Sequence, residues 1–329
     1  MRRVPWGTED DYEATGVLGD GSYSTVYAGI NVRDNNTPIV LKLLNEIKDY
    51  RIEREINILN QLRDHPNIVT LVDATKNPES GISTLVFDYM NHTSFGDLQR
   101  SLKLEDLKWY TFKLLDALRY ANEFGVMHRD LKPNNLLFSI EPKDLRIIDW
   151  GLATWYDPYK KHAPSVATVD YRSPEISLDF VYYDQRVDIW NAGCIFGEMM
   201  FRTHRSMMEG EDEEENLNEA AKFLGSDGLY IMARKYWLGM NPDWVDFIGY
   251  KEKGGFLKLM NETNSDLVTD QGVDLLEKML TWDFQDRITA KDALEHEFFD
   301  SVRDKMPKFE PKRDIEKLKR APPKPLTFD

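Results

Sequence analysis

The chain has 329 residues, 41% of them hydrophobic and 30% charged, and a formal net charge of −15 at pH 7. That charge disfavours nonspecific binding to nucleic acid and opposes acidic ligands unless cations are gathered locally. No apolar stretch approaches the roughly 18 residues of a membrane span, so no membrane attachment is expected, and the length exceeds the usual single-core size, so a large and a small lobe are expected.

The first residues are positively charged but lead into Gly7-Thr8-Glu9-Asp10 rather than an apolar region, so they do not read as a secretory signal and an intracellular setting is expected. Short β-type runs at 17–18, 24–30 and 38–44, broken by Gly, Asn and Pro, predict an antiparallel sheet. Ile52, Ile56, Leu59 and Leu62 recur at helical spacing and predict one helix over 52–62, stopped by Asp64-His65-Pro66. Strands are expected again over 67–73 and 84–89, and beyond Asn91 the pattern turns largely helical, starting with 105–124. The expected class is α+β: a small antiparallel-sheet lobe with one main helix over 1–90, a large mainly helical lobe over 91–300, and an extension rich in Lys, Arg and Pro over 301–329. The acidic run at 209–215 reads as a solvated loop. Cys194, the only cysteine, cannot form an internal disulfide and lies in the apolar run 189–200, where a buried thiol without chemistry is expected.

Between the first two strand candidates lies Leu18-Gly19-Asp20-Gly21-Ser22-Tyr23-Ser24-Thr25-Val26, whose glycines would let the amides of a hairpin approach phosphate oxygens. In Val40-Leu41-Lys42 a lysine sits in an apolar strand, where an ammonium is costly to bury unless anions meet it. Glu55 on the predicted helix is the candidate carboxylate, and nucleotide phosphates are the second candidate anion. The run His128-Arg129-Asp130-Leu131-Lys132-Pro133-Asn134-Asn135 is followed by Ile147-Ile148-Asp149-Trp150-Gly151. Phosphoryl transfer requires a carboxylate at the attacking hydroxyl, oxygen ligands for Mg2+, and positive charge on the transferred group. Asp130 suits the first role, Asn135 and Asp149 the second, and Lys132 with Lys42 the third.

This ordered set resembles the eukaryotic protein kinases, and the resemblance runs from Tyr12 to about Phe299. Ser173-Pro174-Glu175 resembles the motif that closes the activation segment, and Arg287 the distant arginine that pairs with its glutamate. Asp188 resembles the buried helix start that braces the catalytic loop, and His128 a spine residue rather than a base. Ser24 in place of the third glycine of the loop, and Trp150 in the metal-binding triplet, are similar to the casein kinase 2 catalytic subunits, as are the stretches 54–59, 66–71, 85–91 and 147–153.

That resemblance implies a serine/threonine kinase using ATP or GTP with Mg2+, present in cytoplasm and nucleus, and partnered by a regulatory beta subunit. It implies a nucleotide slot built from Val26, Val40, Phe87, Met90, Leu137 and Ile148. It also implies activity without phosphorylation of the activation loop. Val4-Pro5-Trp6-Gly7 resembles only the end of the N-terminal segment that braces that loop, so a less rigidly held loop is expected. Thr168 takes the family's structural hydroxyl position beside Asp130 and Lys132.

The family selects acidic sites with clustered cations, and those are thinned here. Ser165 and Val169 stand at two arginine positions of the activation segment, Asp20 and Ser22 at basic positions of the loop, and Asp49 and Glu53 interrupt the basic run before the helix. Lys48, Arg51, Arg54 and Arg172 remain as the expected contacts to acidic substrate side chains, with reduced or rewired selectivity. Two alternatives stand beside this reading. One is a pseudokinase or scaffold on the same fold, which the intact Lys42, Asp130, Asn135 and Asp149 oppose. The other is a kinase of the cyclin-dependent or mitogen-activated branch, which Trp150 and Ser24 oppose.

Overall fold

Residues rich in β-branched and aromatic side chains build the sheet of a computed structural model that describes residues 6–21, 23–45, 47–306 and 309. Strands β1 (Tyr12–Asp20), β2 (Ser24–Asn31) and β3 (Thr37–Leu44) form a meander, and β4 (Leu71–Lys76) and β5 (Ser83–Asp88) complete an antiparallel sheet of order β1-β2-β3-β5-β4. Helix α1 (Asp49–Leu62) is inserted between β3 and β4 and starts three residues before the predicted 52. It buries Ile52, Ile56, Leu59 and Leu62, as their spacing requires, and carries Glu55 on the same side.

The strand expected over 67–73 begins only at Leu71. The preceding residues bond elsewhere: Ile68 makes an isolated parallel bridge to Ile147, with the Val69 amide donating to Ile147 O at 3.0 Å and the Ile147 amide to Asn67 O at 2.9 Å, and the Thr70 amide donates to Asp88 Oδ1 at 3.0 Å.

After Asp88 the chain becomes helical, with α2 (Phe95–Ser101) and α3 (Leu104–Glu123). Two short hairpin ladders follow: β6 (Val126–Met127) pairs with β9 (Thr154–Trp155), and β7 (Leu136–Ser139) pairs with β8 (Asp144–Ile147). They fix the ends of the loops that carry Asp130 and Asp149. Beyond them lie α4 (Pro174–Ser177), α5 (Val187–Phe201), α6 (Glu213–Leu224), α7 (Asp227–Lys235), α8 (Pro242–Ile248), α9 (Asp270–Met279), α10 (Ala290–Leu294) and α11 (Asp300–Arg303). This is the expected bilobal α+β architecture. Every residue of α5 is buried, so it is the central pillar of the helical lobe. Cys194 lies within it, and burial pushes its thiol well above the ordinary value.

The acidic run is not simply a loop. Asp212 caps α6 by accepting from the Glu215 amide at 3.0 Å, and Glu213, Glu214 and Glu215 occupy its first turn, where the helix dipole favours negative charge. Of the extension expected over 301–329, residues 307, 308 and 310–329 lie outside the described residues. Phe309 stacks near His65 and Tyr120, with ring centroids 4.6 and 5.1 Å away.

The helical lobe is closed by an ion pair of Arg287 with Glu175, bidentate at 2.8 and 2.9 Å, with both side chains 0% exposed. Arg287 also donates to the carbonyls of Thr281, Arg186 and Trp282, which satisfies the rest of its fork. Removing one partner leaves an uncompensated buried charge. Glu175→Gln or Arg287→Met is therefore expected to cost about 3–5 kcal/mol, measured by chemical denaturation, with the double variant losing less than the sum of the two.

A second buried carboxylate has no such partner. Burial pushes Glu198 up to about 8, against the hydrogen bond from Tyr171 Oη at 3.2 Å. Its folded value is raised, so the stability of the neutral form is fully present below 4.5 and is lost as pH climbs through about 8. Thermal melts should show Glu198→Gln declining less over that window than the parent chain.

Candidate active site

The hairpin of β1 and β2 pairs Gly19 with Val26 and Asp20 with Thr25, and Thr25 Oγ1 donates to Asp20 Oδ1 at 2.7 Å. A Cβ added at Gly19 would meet nothing within 4 Å, so the packing of the described residues does not demand glycine there. The bare backbone leaves room above the sheet for a ligand to approach. Leu18 and Tyr23 are exposed, and Ser22 lies outside the described residues.

Strand register sorts the expected slot residues. Val26 pairs with Lys42, Val40 pairs with both Ala28 and Phe87, and cross-strand partners point to one face of the sheet. Val26, Val40, Lys42 and Phe87 thus share a face. Val26, Val40, Leu137 and Ile148 are half-buried, whereas Phe87 and Met90 are buried.

On that face Lys42 Nζ meets Glu55 Oε1 at 3.0 Å and Asp149 Oδ1 at 2.8 Å. Burial alone would lower its pKa, but the two carboxylates reverse the sign and raise it, so the ammonium is held charged. Burial likewise works against the Asp149 carboxylate, yet Lys42 holds its pKa below the usual value. Asp149 has a left-handed backbone, φ 57°, and its side chain stays 47% exposed. A Cβ on Gly151 would stand 3.3 Å from Asp149 Oδ1 and 3.4 Å from Glu55 Oε2, so the close approach of this turn to the ion cluster favours glycine.

Asp130 is held on both oxygens. Oδ1 accepts from the Thr168 amide and from Thr168 Oγ1, each at 3.0 Å; Oδ2 accepts from Asn135 Nδ2 at 3.1 Å and faces Lys132 Nζ at 3.2 Å. Lys132 in turn donates to Thr168 Oγ1 at 2.8 Å. Because Asn135 spends its amide nitrogen on Asp130, its carbonyl oxygen is the atom left for a cation. With the second oxygen of Asp149 it forms an oxygen donor set that suits Mg2+.

Behind the loop, the buried Asp188 accepts from the amides of His128 at 2.8 Å and Arg129 at 2.7 Å. His128 Nδ1 accepts from the Asp130 amide at 3.2 Å, and Nε2 faces Ile148 O at 3.0 Å, which assigns the proton to Nε2 and leaves no ring nitrogen to act as a base. The ring packs edge-on against Trp150 with centroids 4.7 Å apart, and Trp150 Nε1 donates to Ile147 O at 3.3 Å.

The family model of the protein kinase domain matches residues 12–299. The chain belongs to the protein kinase family. Membership of that family implies use of ATP and a divalent metal and action on protein substrates; no helix among the described residues is long and apolar enough to cross a membrane.

The cations expected to read a kinase's acidic substrate are placed differently from one another. Lys48 and Arg51 are exposed at the start of α1. Arg54 is half-buried and donates through Nη2 to Gly151 O at 3.1 Å, tying α1 to the turn that follows Asp149. Arg172 donates to Ala167 O at 2.9 Å and is ion-paired with Glu213. The sequence reading missed Glu213. Asp212 followed by Glu215 is a helix-start signal that could have located α6, but nothing in the sequence pairs its first turn with Arg172.

Thr168 is the one hydroxyl bonded to both Asp130 and Lys132 among the described residues. Thr168→Ala should lower kcat by about tenfold or more, because a hydrogen bond to a charged group is lost, and Thr168→Ser should restore it. Steady-state phosphate transfer at saturating peptide and ATP checks both.

Proposed function

We propose that this kinase transfers the γ-phosphoryl group of ATP to serine and threonine side chains, as a member of the casein kinase 2 alpha type. The observation that carries the reading is the double clamp on Asp130, which orients one carboxylate oxygen with Thr168 and the other with Asn135 and Lys132. A substrate hydroxyl arriving there gives its proton to Asp130 as its oxygen forms the new bond to the γ-phosphorus. The bond to the bridging oxygen breaks, and ADP leaves. Lys132 is placed to offset charge on the transferred group, and Lys42 to hold the remaining phosphates. When bound, Mg2+ supplies further neutralisation of phosphate charge, and Asn135 and Asp149 are the residues that would hold it.

Trp150 supports the narrower assignment. Its indole N–H reaches the Ile147 carbonyl, a bond that phenylalanine cannot make, and its ring is fully buried against His128. Use of GTP, a regulatory beta subunit, and a cytoplasmic and nuclear setting belong to the same reading, which the resemblance supports. A weakened preference for acidic sites belongs to it as well, supported by Ser165 and Val169 at two arginine positions of the family.

The test is a positional peptide library with ATP and with GTP as donors. Transfer to Ser and Thr peptides is expected, and Asp130→Asn should reduce it by about 10²–10⁴-fold while nucleotide binding persists. Transfer confined to tyrosine peptides, or a dominant preference for proline after the phosphoacceptor, would overturn the assignment.

A further inference from the structure

Arg172 is the last cation of the activation segment before α4, and its position relative to the chemistry is fixed by two bonds. Its Nη2 donates to Ala167 O, and the next residue, Thr168, is clamped to Asp130. The guanidinium is therefore bonded to the residue next to Thr168, the hydroxyl partner of the catalytic carboxylate. Its other terminal nitrogen is ion-paired with Glu213 of α6. The Arg172 side chain is only 15% exposed, and its Nε is buried without a partner.

Glu213 is held in place independently of Arg172. Capping by Asp212 places it in the first turn of α6, Ser206 Oγ donates to Asp170 O at 2.8 Å, and Asn216 Nδ2 bonds to Met208 O, so the approach to α6 is tied to the activation segment. A carboxylate fixed in this way competes with a peptide carboxylate at high effective concentration.

Building on the kinase reading above, we infer that Glu213 is a specificity-determining residue: it occupies Arg172 as an internal substitute for an acidic substrate side chain and so suppresses acidic selection at the peptide position beside Arg172. The weak acidic preference then has two independent causes, the absence of arginine at 165 and 169 and the internal neutralisation of the cation that remains. It is reversible by one substitution.

Two peptide series, with Asp or Ala at each position after the phosphoacceptor, are compared for the parent, Glu213→Gln, Glu213→Ala and the double variant Glu213→Gln/Arg172→Ala. The ratio of kcat/KM for Asp over Ala within each variant is the readout, so changes in overall activity cancel. The ratio should rise about tenfold at one position in both single variants, the worth of one charge-assisted contact, and fall back in the double variant. Fluorescence anisotropy of the same peptides measures binding without phosphate transfer. An unchanged ratio in both single variants, or a gain that survives loss of Arg172, overturns the inference. Absence of transfer in the parent, with the binding ratio still shifted by Glu213→Gln, would instead overturn the kinase activity and leave the role of Glu213 standing.

Discussion

The active geometry hangs on one buried carboxylate. Asp188, 1% exposed at the first turn of α5, takes the amides of His128 and Arg129 on its two oxygens. Burial pushes its pKa up, and those amides with the His128 and Arg129 side chains act against that rise. Arg129 has φ 72°, a conformation that a non-glycine residue holds only where its surroundings impose it. The clasp imposes it, and the reversal of chain direction turns Asp130 toward Thr168. Because α5 is buried over its whole length, the clasp stands on the most rigid element of the lobe, and error in the position of Asp130 is limited by core packing rather than by loop stiffness.

Arg129 extends this constraint into the next segment. Its guanidinium donates twice to Leu152 O and once to Tyr183 Oη at 3.0 Å, and Tyr183 donates to Ala163 O at 2.6 Å. A buried guanidinium needs partners for its donors, and here the Leu152 carbonyl and the Tyr183 hydroxyl take three bonds. The activation segment is thus anchored at Leu152 by Arg129, at Thr168 by Asp130, and at Ala163 by Tyr183, which Arg129 itself contacts.

Legibility in the sequence followed the range of the interaction. Helices such as 52–62 and 105–124 were readable because their apolar spacing reflects the surface they bury, and they were found within a few residues of α1 and α3. The ion cluster of Lys42, Glu55 and Asp149 was readable because an ammonium in an apolar strand calls for anions. The strand starts at Leu71 rather than 67 because the backbone of 67–69 bonds to Ile147 instead of β5 and the Asp88 side chain takes the Thr70 amide, a competition that residue propensity does not encode. The first turn of α6 was read as a loop because an acidic run is compatible with both solvent and a helix dipole. Deciding between them needed the Asp212 cap and the Arg172 partner, both products of the folded chain.

The placement of the guanidinium groups joins the two halves of the site. A guanidinium whose N–H groups are bonded within the chain has fewer donors left for a ligand. Arg54 is committed to Gly151 O, which couples α1, and with it Glu55, to the turn that carries Asp149. Burial, with Arg129 and Arg51 nearby, lowers the Arg54 pKa, so this brace costs electrostatic energy that the carbonyl contact must offset. Arg172 is committed to Glu213 and Ala167 O, which couples the activation segment to α6. Both cations therefore tie segments together around Asp149 and Thr168. In a chain of net charge −15, Lys48 and Arg51 stay exposed at the start of α1 while Arg54 and Arg172 are spent on these ties, so the same assignments that order the turn after Asp149 leave less free positive charge beside it.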